Sequence, residues 1–341
     1  MSMKVLQPGL LTSIQDLGRY GYQKHGVIVS GAMDTYSLRI ANLLVGNEEG
    51  EAGLEITLMG PSFLIEQDTL LAITGGDLSP SIDEESIPMW RPVYIKGGSV
   101  LRFGTCKSGC RSYLAVAGGF NIPEVMGSKS TYLRAGLGGF HGRALKEADV
   151  LELNRPSEQA VHTMRGLEAK AGERPFVPTS WYIERGYIPQ DKGHTMVRVM
   201  RGSQFELFDE DSVTTFLNEP FQVTPQSDRM GYRLSGPAVK LKRPVEMISE
   251  AVSLGTVQIP PDGNPILLLA DRQTVGGYPK IAQVAAVDIS IIAQMKPGKK
   301  LTFQEITVEE AERLYFVREK HIQSLKLRMK LKGIIRHDKN K

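Results

Sequence analysis

The stretch "ADRQTVGGYPKIAQV", residues 270–284, follows the apolar run "ILLL" and sets an acid, a base, two hydrogen-bonding side chains and a Gly pair within eight positions. Asp271 and Arg272 supply one anion and one bidentate cation. Gln273 and Thr274 add hydrogen-bonding groups, and Gly276 with Gly277 offers a backbone free to take positive φ and to bring its N–H groups close to a ligand. Such a turn can carry a binding site. The same residues also suffice for a hairpin with a salt-bridged rim, and residue types alone leave both readings open.

Other chemistry-bearing templates fail. The glycine-rich stretches "GGSVLRFGTCKSG" and "GLGGFHGRAL" lack the Lys-hydroxyl step of a phosphate loop, and His141 stands where a dinucleotide fingerprint needs its third glycine. There is no G-x-S-x-G and no H-E-x-x-H, and the six histidines are scattered. Cys106 and Cys110, in "CKSGC", have no second ligand pair at zinc spacing, so they read as two small residues beside a turn.

The elements that must position the turn are mostly strands. Ile266 to Ala270 reads as a buried strand emptying into the turn, and "IAQVAAV" restarts an apolar stretch after Tyr278-Pro279. Short apolar runs such as "FLIEQDTLLAIT", "PVYIKGGSVLRF", "RSYLAVAGG", "MVRVMRG" and "KLTF" alternate with Gly, Pro and Asp turn signals at the spacing of barrels or sandwiches. Helical periodicity is strong only near "MDTYSLRIANLLVG", with Asp34 at its start, and in the C-terminal stretch. There Thr307 and Glu310 form a capping box, Ala311, Leu314, Ile322, Leu325 and Met329 approximate one stripe, and Gly333 is the expected stop.

At 341 residues the chain is long for one core and suggests two domains. No apolar run approaches the roughly 20 residues of a membrane span, and the N-terminus lacks the pattern of a secretion signal, so a cytoplasmic location is expected. From Glu309 onward, ten Lys or Arg face five acids, a net +5; the preceding body holds 31 bases and 33 acids, a net −2. A nearly neutral body argues against nucleic-acid binding. The tail reads as a helix packed on its own body or on a partner, because its stripe is narrow for a membrane-surface helix.

A faint internal repeat supports two related domains. "TSIQDLGRYGYQKHG" (Thr12 to Gly26) matches "TPQSDRMGYRLSG" (Thr224 to Gly236) in offering an Asp, an Arg and a Gly-Tyr step, and "YIKGGSVLRF" matches "QMKPGKKLTF" in the same order. The expected organisation is a first domain at 1–155, a linker at 156–194 rich in Pro, Gly and charge, a second domain at 195–306, and a helix and basic tail at 307–341.

The segments "GLLTSIQDLGRYGYQKHGVIVSGAMD", "AGLEITLMGP", "AVAGGF", "MGSKSTYLRAGLGGFHGRALKEADVLEL", "SDRMGYRLSGP", "ISEAVSLGTVQIPPDGNPILLLADRQTVGGYPKIAQV" and "MKPGKKLTF" resemble the successive signatures of one family. It is the biotin-dependent carboxyltransferase family, also called allophanate hydrolase subunit 2 or KipA-like, whose bacterial members include one of the 5-oxoprolinase subunits. The resemblance runs from about Lys4 to Phe303. It implies a mainly β fold of two tandem cyclophilin-like β-barrel domains with a C-terminal basic helix. It implies partners too: a KipI-like subunit and, in the 5-oxoprolinase, a LamB/YcsF-like subunit, which together open 5-oxoproline to L-glutamate at the expense of ATP. The related domain of urea amidolyase moves a carboxyl group from carboxybiotin to urea. A KipA-like protein can also act as a binding module that relieves a KipI-like inhibitor of a sporulation histidine kinase.

No lysine here stands in the Ala-Met-Lys-Met setting that carries biotin, and no ATP site is recognisable, so ATP belongs to the assembled complex and biotin only to the carboxyltransferase reading. Both chemistries require a planar amide to be held while charge builds on its oxygen. On the resemblance, Asp271, Arg272, Thr274, Gly276, Gly277 and Tyr278 line the pocket. Arg272 takes a substrate carboxylate or the developing oxyanion, and Asp271 either orients that Arg or serves as base. Asp16, Arg19, Asp34, Ser128, Ser130 and Thr131 in the first domain, and Asp228, Arg229 and Glu250 in the second, also match family signatures. No metal is implied. The chain is expected to act in a stable hetero-complex with a KipI-like subunit, docking through exposed strand edges of its barrels.

Overall fold

The computed structural model describes residues 1–184 and 194–337; what was expected of 185–193 and 338–341 lies outside the described residues. Two compact units result. The first holds Met1–Gly18, residues 34–184 and the C-terminal stretch from Glu319; the second holds Arg19–Met33 and residues 194–318. The mainly β, two-unit architecture with a C-terminal helix matches the expectation, but Arg19–Met33 leaves the first expected domain for the second.

In the first unit one six-stranded sheet runs Val150–Glu152, Ser2–Gln7, Ser62–Ile65, Val100–Arg102, Ser81–Ile82, Glu85–Ser86. The other runs Phe176–Pro178, Val93–Ile95, Thr69–Asp77, Ser108–Val116, Gly53–Thr57, Leu11–Gln15. Period-two alternation places Met3, Val5, Phe63, Ile65 and Leu101 inside. Helix α1, Thr35–Leu44, lies on the second sheet, where the Thr74 hydroxyl donates to the Ser37 carbonyl at 2.7 Å. It starts where the sequence placed it, because the Asp34 carboxylate accepts from the Ser37 N–H at 3.0 Å, a cap worth about 1 kcal/mol.

The segment expected as a linker is structured up to its undescribed part. Helix α2, Glu158–Glu168, is capped by Ser157 and buries Ala160 and Leu167, and Phe176–Pro178 joins a sheet of the first unit. Only two buried positions, seven residues apart, anchor α2, which is too sparse a pattern to read against its polar background.

In the second unit seven strands close into a barrel in the order His194–Arg201, Lys280–Val284, Thr256–Gln258, Ile266–Leu268, Gly231–Ser235, Phe221–Val223, Lys300–Glu305. The last strand returns to the first in parallel, Val197 facing Phe303. Helix α3, Glu210–Asn218, absent from the sequence reading, puts Phe216 on Phe303 with ring centroids 4.4 Å apart. Helix α4, Ile289–Ala293, buries Ile289, Ile291, Ile292 and Ala293. Closure removes from this unit the barrel edges expected to serve for docking, while the first unit's two sheets are not closed. Among the described residues of this unit, strand edges remain on a two-stranded ribbon, Glu250–Ala251 with Val275–Gly276.

Helix α5, Val308–His337, begins with the Glu310 N–H donating to the Thr307 hydroxyl at 3.2 Å and passes through Gly333, the expected stop. A lone glycine costs a helix about 1 kcal/mol, too little to end thirty residues of it. Ile322, Leu325 and Met329 bury in the first unit's core, so this part of the stripe packs on its own body. No described helix is long and apolar enough to cross a membrane.

Candidate functional site

The second unit's strand Ile266–Leu268 buries Leu267, Leu269 and Ala270 and so delivers Asp271 from a fixed base. Asp271 is buried and does not pair with the adjacent Arg272. Its carboxylate takes the fork of Arg229, Nε at 2.9 Å and Nη2 at 3.0 Å, and its N–H donates to the Arg229 carbonyl at 2.8 Å. Arg229 Nη2 also donates to the Gly31 carbonyl at 2.6 Å. The pair thus fastens the 19–33 segment and the 271 turn together, each Asp271 oxygen accepting from the Arg229 fork.

Arg272 is the opposite case. Its Nη1 makes one long hydrogen bond, 3.4 Å, to the Leu269 carbonyl, and its Nε is buried without an acceptor. Burial pulls its pKa below the ordinary arginine value, opposed only by the Tyr20 phenol; no carboxylate among the described residues compensates it. A guanidinium that keeps its charge in this setting is poised for an anion.

Beyond it the chain forms the ribbon. The Thr274 carbonyl accepts from Val252 N–H at 3.2 Å, and Gly276 faces Glu250 in register. Neither Gly276 nor Gly277 takes positive φ, contrary to the expectation. Gly276 lies close under the Gln258 side chain: a Cβ there would stand 2.3 Å from the amide nitrogen, so that amide would have to move aside. Tyr278 leaves its ring exposed, while its carbonyl accepts weakly from that amide at 3.4 Å.

Sequence reasoning passed over Lys280, although it lies in the same stretch. Its buried Nζ donates to Glu250 Oε2 at 2.6 Å, and the Gln204 amide donates to that same oxygen at 3.1 Å. The Lys280 hydrogen bond and charge, then Gln204, hold the exposed Glu250 carboxyl below its usual value. A lysine directly after a Gly-Gly-Tyr-Pro turn, opening a strand, was the available signal. Asp228 only pins its turn, accepting from the N–H groups of Met230 and Gly231 at 2.8 and 3.2 Å.

Of the first unit's candidates, Asp16, Ser128 and Ser130 form one cluster. Asp16 accepts from Gly18 N–H at 2.7 Å, Ser128 Oγ at 2.8 Å, Ser130 Oγ at 2.5 Å and Lys129 N–H at 2.6 Å. Thr131 hydrogen-bonds the Ile14 carbonyl through both N–H and hydroxyl. Asp34 caps α1 and donates its N–H to the Tyr113 hydroxyl, which in turn donates to Glu55 at 2.8 Å. Burial, reinforced by Glu55 and Asp34, pushes the Tyr113 phenol well up. Arg19, in the second unit, is wholly buried, and its N–H donates to the Val29 carbonyl at 2.7 Å.

The glycine-rich stretch at 136–142 does not fit a nucleotide phosphate. Gly139 backs onto Thr131, and a Cβ on Gly142 would strike the Gly136 carbonyl, so the glycines serve tight packing. Cys106 and Cys110 carry free thiols, and no described group of His, Cys, Asp and Glu could hold a metal ion.

This double β architecture places the chain in the class of carboxyltransferase-type modules. The Kluyveromyces lactis urea carboxylase crystal structure superposes with a TM-score of 0.84 at 31% identity, over 95% of this chain and 29% of that one. Residues 25–305 match the carboxyltransferase domain, subdomain A and B, and the chain belongs to that family. Among curated relatives, a 5-oxoprolinase subunit of Escherichia coli K12 is 35% identical over 96% of this chain and 98% of its own length. Urea amidolyase of Lachancea kluyveri is 34% identical over 95% of this chain, which spans 18% of that much longer protein.

Proposed function

We propose that the chain is a subunit of an ATP-dependent 5-oxoprolinase, working in the cytoplasm with KipI-like and LamB/YcsF-like partners to open 5-oxoproline to L-glutamate. End-to-end similarity to the Escherichia coli 5-oxoprolinase subunit supports the assignment. The observation that carries it chemically is Arg272, a half-buried guanidinium without a carboxylate partner among the described residues. A cyclic amide bearing a carboxylate offers the missing anion, and a bidentate contact would fix the ring. Asp271 acts through Arg229 as a positioning group. Thr274, Gly276, Gly277 and Tyr278 line the pocket, with Glu250 at its edge.

The test is Arg272→Ala in the purified complex, assayed for glutamate formed from 5-oxoproline with ATP. Loss of one charge-assisted contact lowers kcat/KM about 10- to 100-fold, mainly through KM, while the subunits still co-elute. Full turnover by this variant removes the assignment. Substantial turnover by the chain alone removes the dependence on partners.

The urea carboxylase superposition favours a second reading, in which a module of this kind accepts a carboxyl group from carboxybiotin carried on another chain. Carboxylation of urea by the chain mixed with a biotin carboxylase and carrier, absent oxoproline opening, would decide for it.

A further inference from the structure

Lys280 stands level with Gln258, and Gln258 with Ile266, where the strand Ile266–Leu268 begins. Arg272 lies past the other end of that strand, its N–H donating to the Leu269 carbonyl at 3.1 Å. Between the two, the chain runs outside the barrel ladder by way of the ribbon. The Thr274 carbonyl accepts from Val252 N–H, Gly276 stands level with Glu250, and the Pro279 carbonyl rejoins the barrel by accepting from Ile259 N–H at 3.0 Å. The ribbon is thus a strap, with Arg272 at its near end and Lys280 at its far end.

Two residues per strand cannot hold such a strap alone, since even an isolated full hairpin is marginal in water. Among the described residues, three side-chain hydrogen bonds tie it to the rest of its unit. The Gln258 amide reaches the Tyr278 carbonyl at 3.4 Å, a weak contact. Glu250 Oε2 accepts from Lys280 Nζ at 2.6 Å and from the Gln204 amide at 3.1 Å. The members of the ion pair are unequally placed: the lysine side chain is 9% exposed and begins a barrel strand, whereas the glutamate side chain is 51% exposed and belongs to the ribbon. Gln204 also fixes the lysine backbone from both sides. Its Oε1 accepts from Lys280 N–H and its N–H donates to the Lys280 carbonyl, each at 3.2 Å. A cation anchored in the barrel therefore grips an exposed strand that has little else to hold it.

We propose that Lys280 and Glu250 are positioning residues for the Arg272 site: their ion pair pins the far end of the strap and so keeps the 272–277 turn in the shape that accepts a carboxylate-bearing cyclic amide. The ligand rests on the reading given under Proposed function; the pinning does not. Lys280 acts through Glu250 and the ribbon, not on the ligand. With the pin made, the turn is ordered before binding. Without it, only the ordered fraction of molecules binds, and the apparent affinity falls by that fraction. Once the ligand is bound the turn is ordered either way, so the loss falls on KM rather than kcat.

The experiment measures hydrogen exchange of the 250–252 and 274–277 amides, with KM and kcat for 5-oxoproline, in the assembled complex. The variants are Lys280→Met, Glu250→Gln, the two combined, Lys280→Arg and Arg272→Ala. Lys280→Met should speed exchange of these amides about tenfold and raise KM about three- to tenfold, with kcat within about threefold. Lys280→Arg keeps the ion pair and should restore both values. Glu250→Gln should act in the same direction, and adding it to Lys280→Met should change nothing further, because one contact is broken either way. Unchanged exchange in Lys280→Met, or faster exchange with unchanged KM, overturns the inference. A double variant as severe as the two single effects multiplied also overturns it, since the residues would then act separately. Undiminished turnover in Arg272→Ala instead overturns the reading beneath it, and the exchange measurement still judges the pin. Should Lys280→Met fail to fold, Glu250→Gln, altered at a half-exposed side chain, carries the same comparison.

Discussion

The turn at Asp16 in the first unit and the turn at Asp271 in the second both bury an aspartate beside glycines, and they satisfy it by different means. Asp16 is surrounded by neutral donors, two serine hydroxyls and two backbone N–H groups. Asp271 takes a guanidinium fork from a residue 42 positions away. The first arrangement takes both serine hydroxyls and the Lys129 N–H of the sequence signature "GSKST", while the Lys129 ammonium goes to Glu51 and the Thr131 hydroxyl to the Ile14 carbonyl. The second matches one arginine and leaves its neighbour, Arg272, without a carboxylate among the described residues. A carboxylate that is fully consumed holds a loop in place; an unmatched cation beside it is where a substrate can bind.

If that contrast is right, the largest stability effect belongs to the matched pair. Arg229→Met should cost about 3–5 kcal/mol, because it strands a buried carboxylate, and Asp271→Leu should cost a similar amount by stranding the guanidinium. The double variant should cost less than the two single costs added together. Denaturant midpoints measure all three, and single costs below about 1 kcal/mol would end the claim that this pair fastens the segment. Asp16→Asn comes next, at about 1–3 kcal/mol, since one amide must donate where only acceptors were wanted. An unchanged midpoint would mean that the serines had turned to water instead.

Arg272→Met should be smaller still on stability and opposite in sign. Removing a buried, unsatisfied Nε and an uncompensated charge should raise stability by up to about 1 kcal/mol even as turnover collapses. Lower stability together with normal turnover would reverse the roles given to the two arginines.

The sequence revealed most where a pattern was local. Asp34 before an apolar periodicity marked α1, and Thr307 with Glu310 marked α5, because caps and stripes act within a few residues. The 270–284 stretch was singled out correctly as a strand emptying into a polar turn, but its wiring was hidden. Asp271 and Arg272, adjacent in sequence, have different partners, since the chain turns there, with the Arg272 N–H donating back to the Leu269 carbonyl at 3.1 Å. The partner of Asp271 lies 42 residues away, and the Gly31 carbonyl bound by Arg229 lies 198 residues from it. Nothing local in Arg19–Met33 shows that it belongs with the second unit. Gly276 and Gly277 looked like a positive-φ turn; neither takes positive φ, and Gly276 instead lies close under the Gln258 amide, a contact made by a barrel residue 18 positions away. Lys280 was passed over although its place after the Gly-Gly-Tyr-Pro turn was a signal, because its ion pair with Glu250 joins residues 30 positions apart.

The smallest effect concerns how α5 is held on the first unit, and it contrasts an enclosed ion pair with an exposed one. Arg39 forks onto Glu319 with both distances at 2.7 Å and also binds Glu49 at 2.8 Å, while Lys326 reaches Glu48 at 3.0 Å. The Lys326 hydrogen bond and charge lower the Glu48 pKa from 4.5, and Glu48, followed by Glu49, raises the Lys326 pKa from 10.5. A depressed carboxyl adds stability above its unfolded value and loses it as pH falls through its folded value; a raised ammonium adds stability below its unfolded value and loses it as pH rises through its folded value. The Glu48–Lys326 contact should therefore hold at full strength between about pH 4.5 and 10.5 and weaken outside that window. The Glu48 side chain is 80% exposed, so Lys326→Met should cost only a few tenths of a kcal/mol, and that cost should vanish in about 1 M salt. Arg39→Met, which breaks two partly buried contacts, should cost about 1 kcal/mol or more and keep most of that cost in salt. Hydrogen exchange of the 322–331 amides reads both effects. Equal protection in the two variants at low salt would show that Ile322, Leu325 and Met329 alone dock the helix and that its charges serve only solubility.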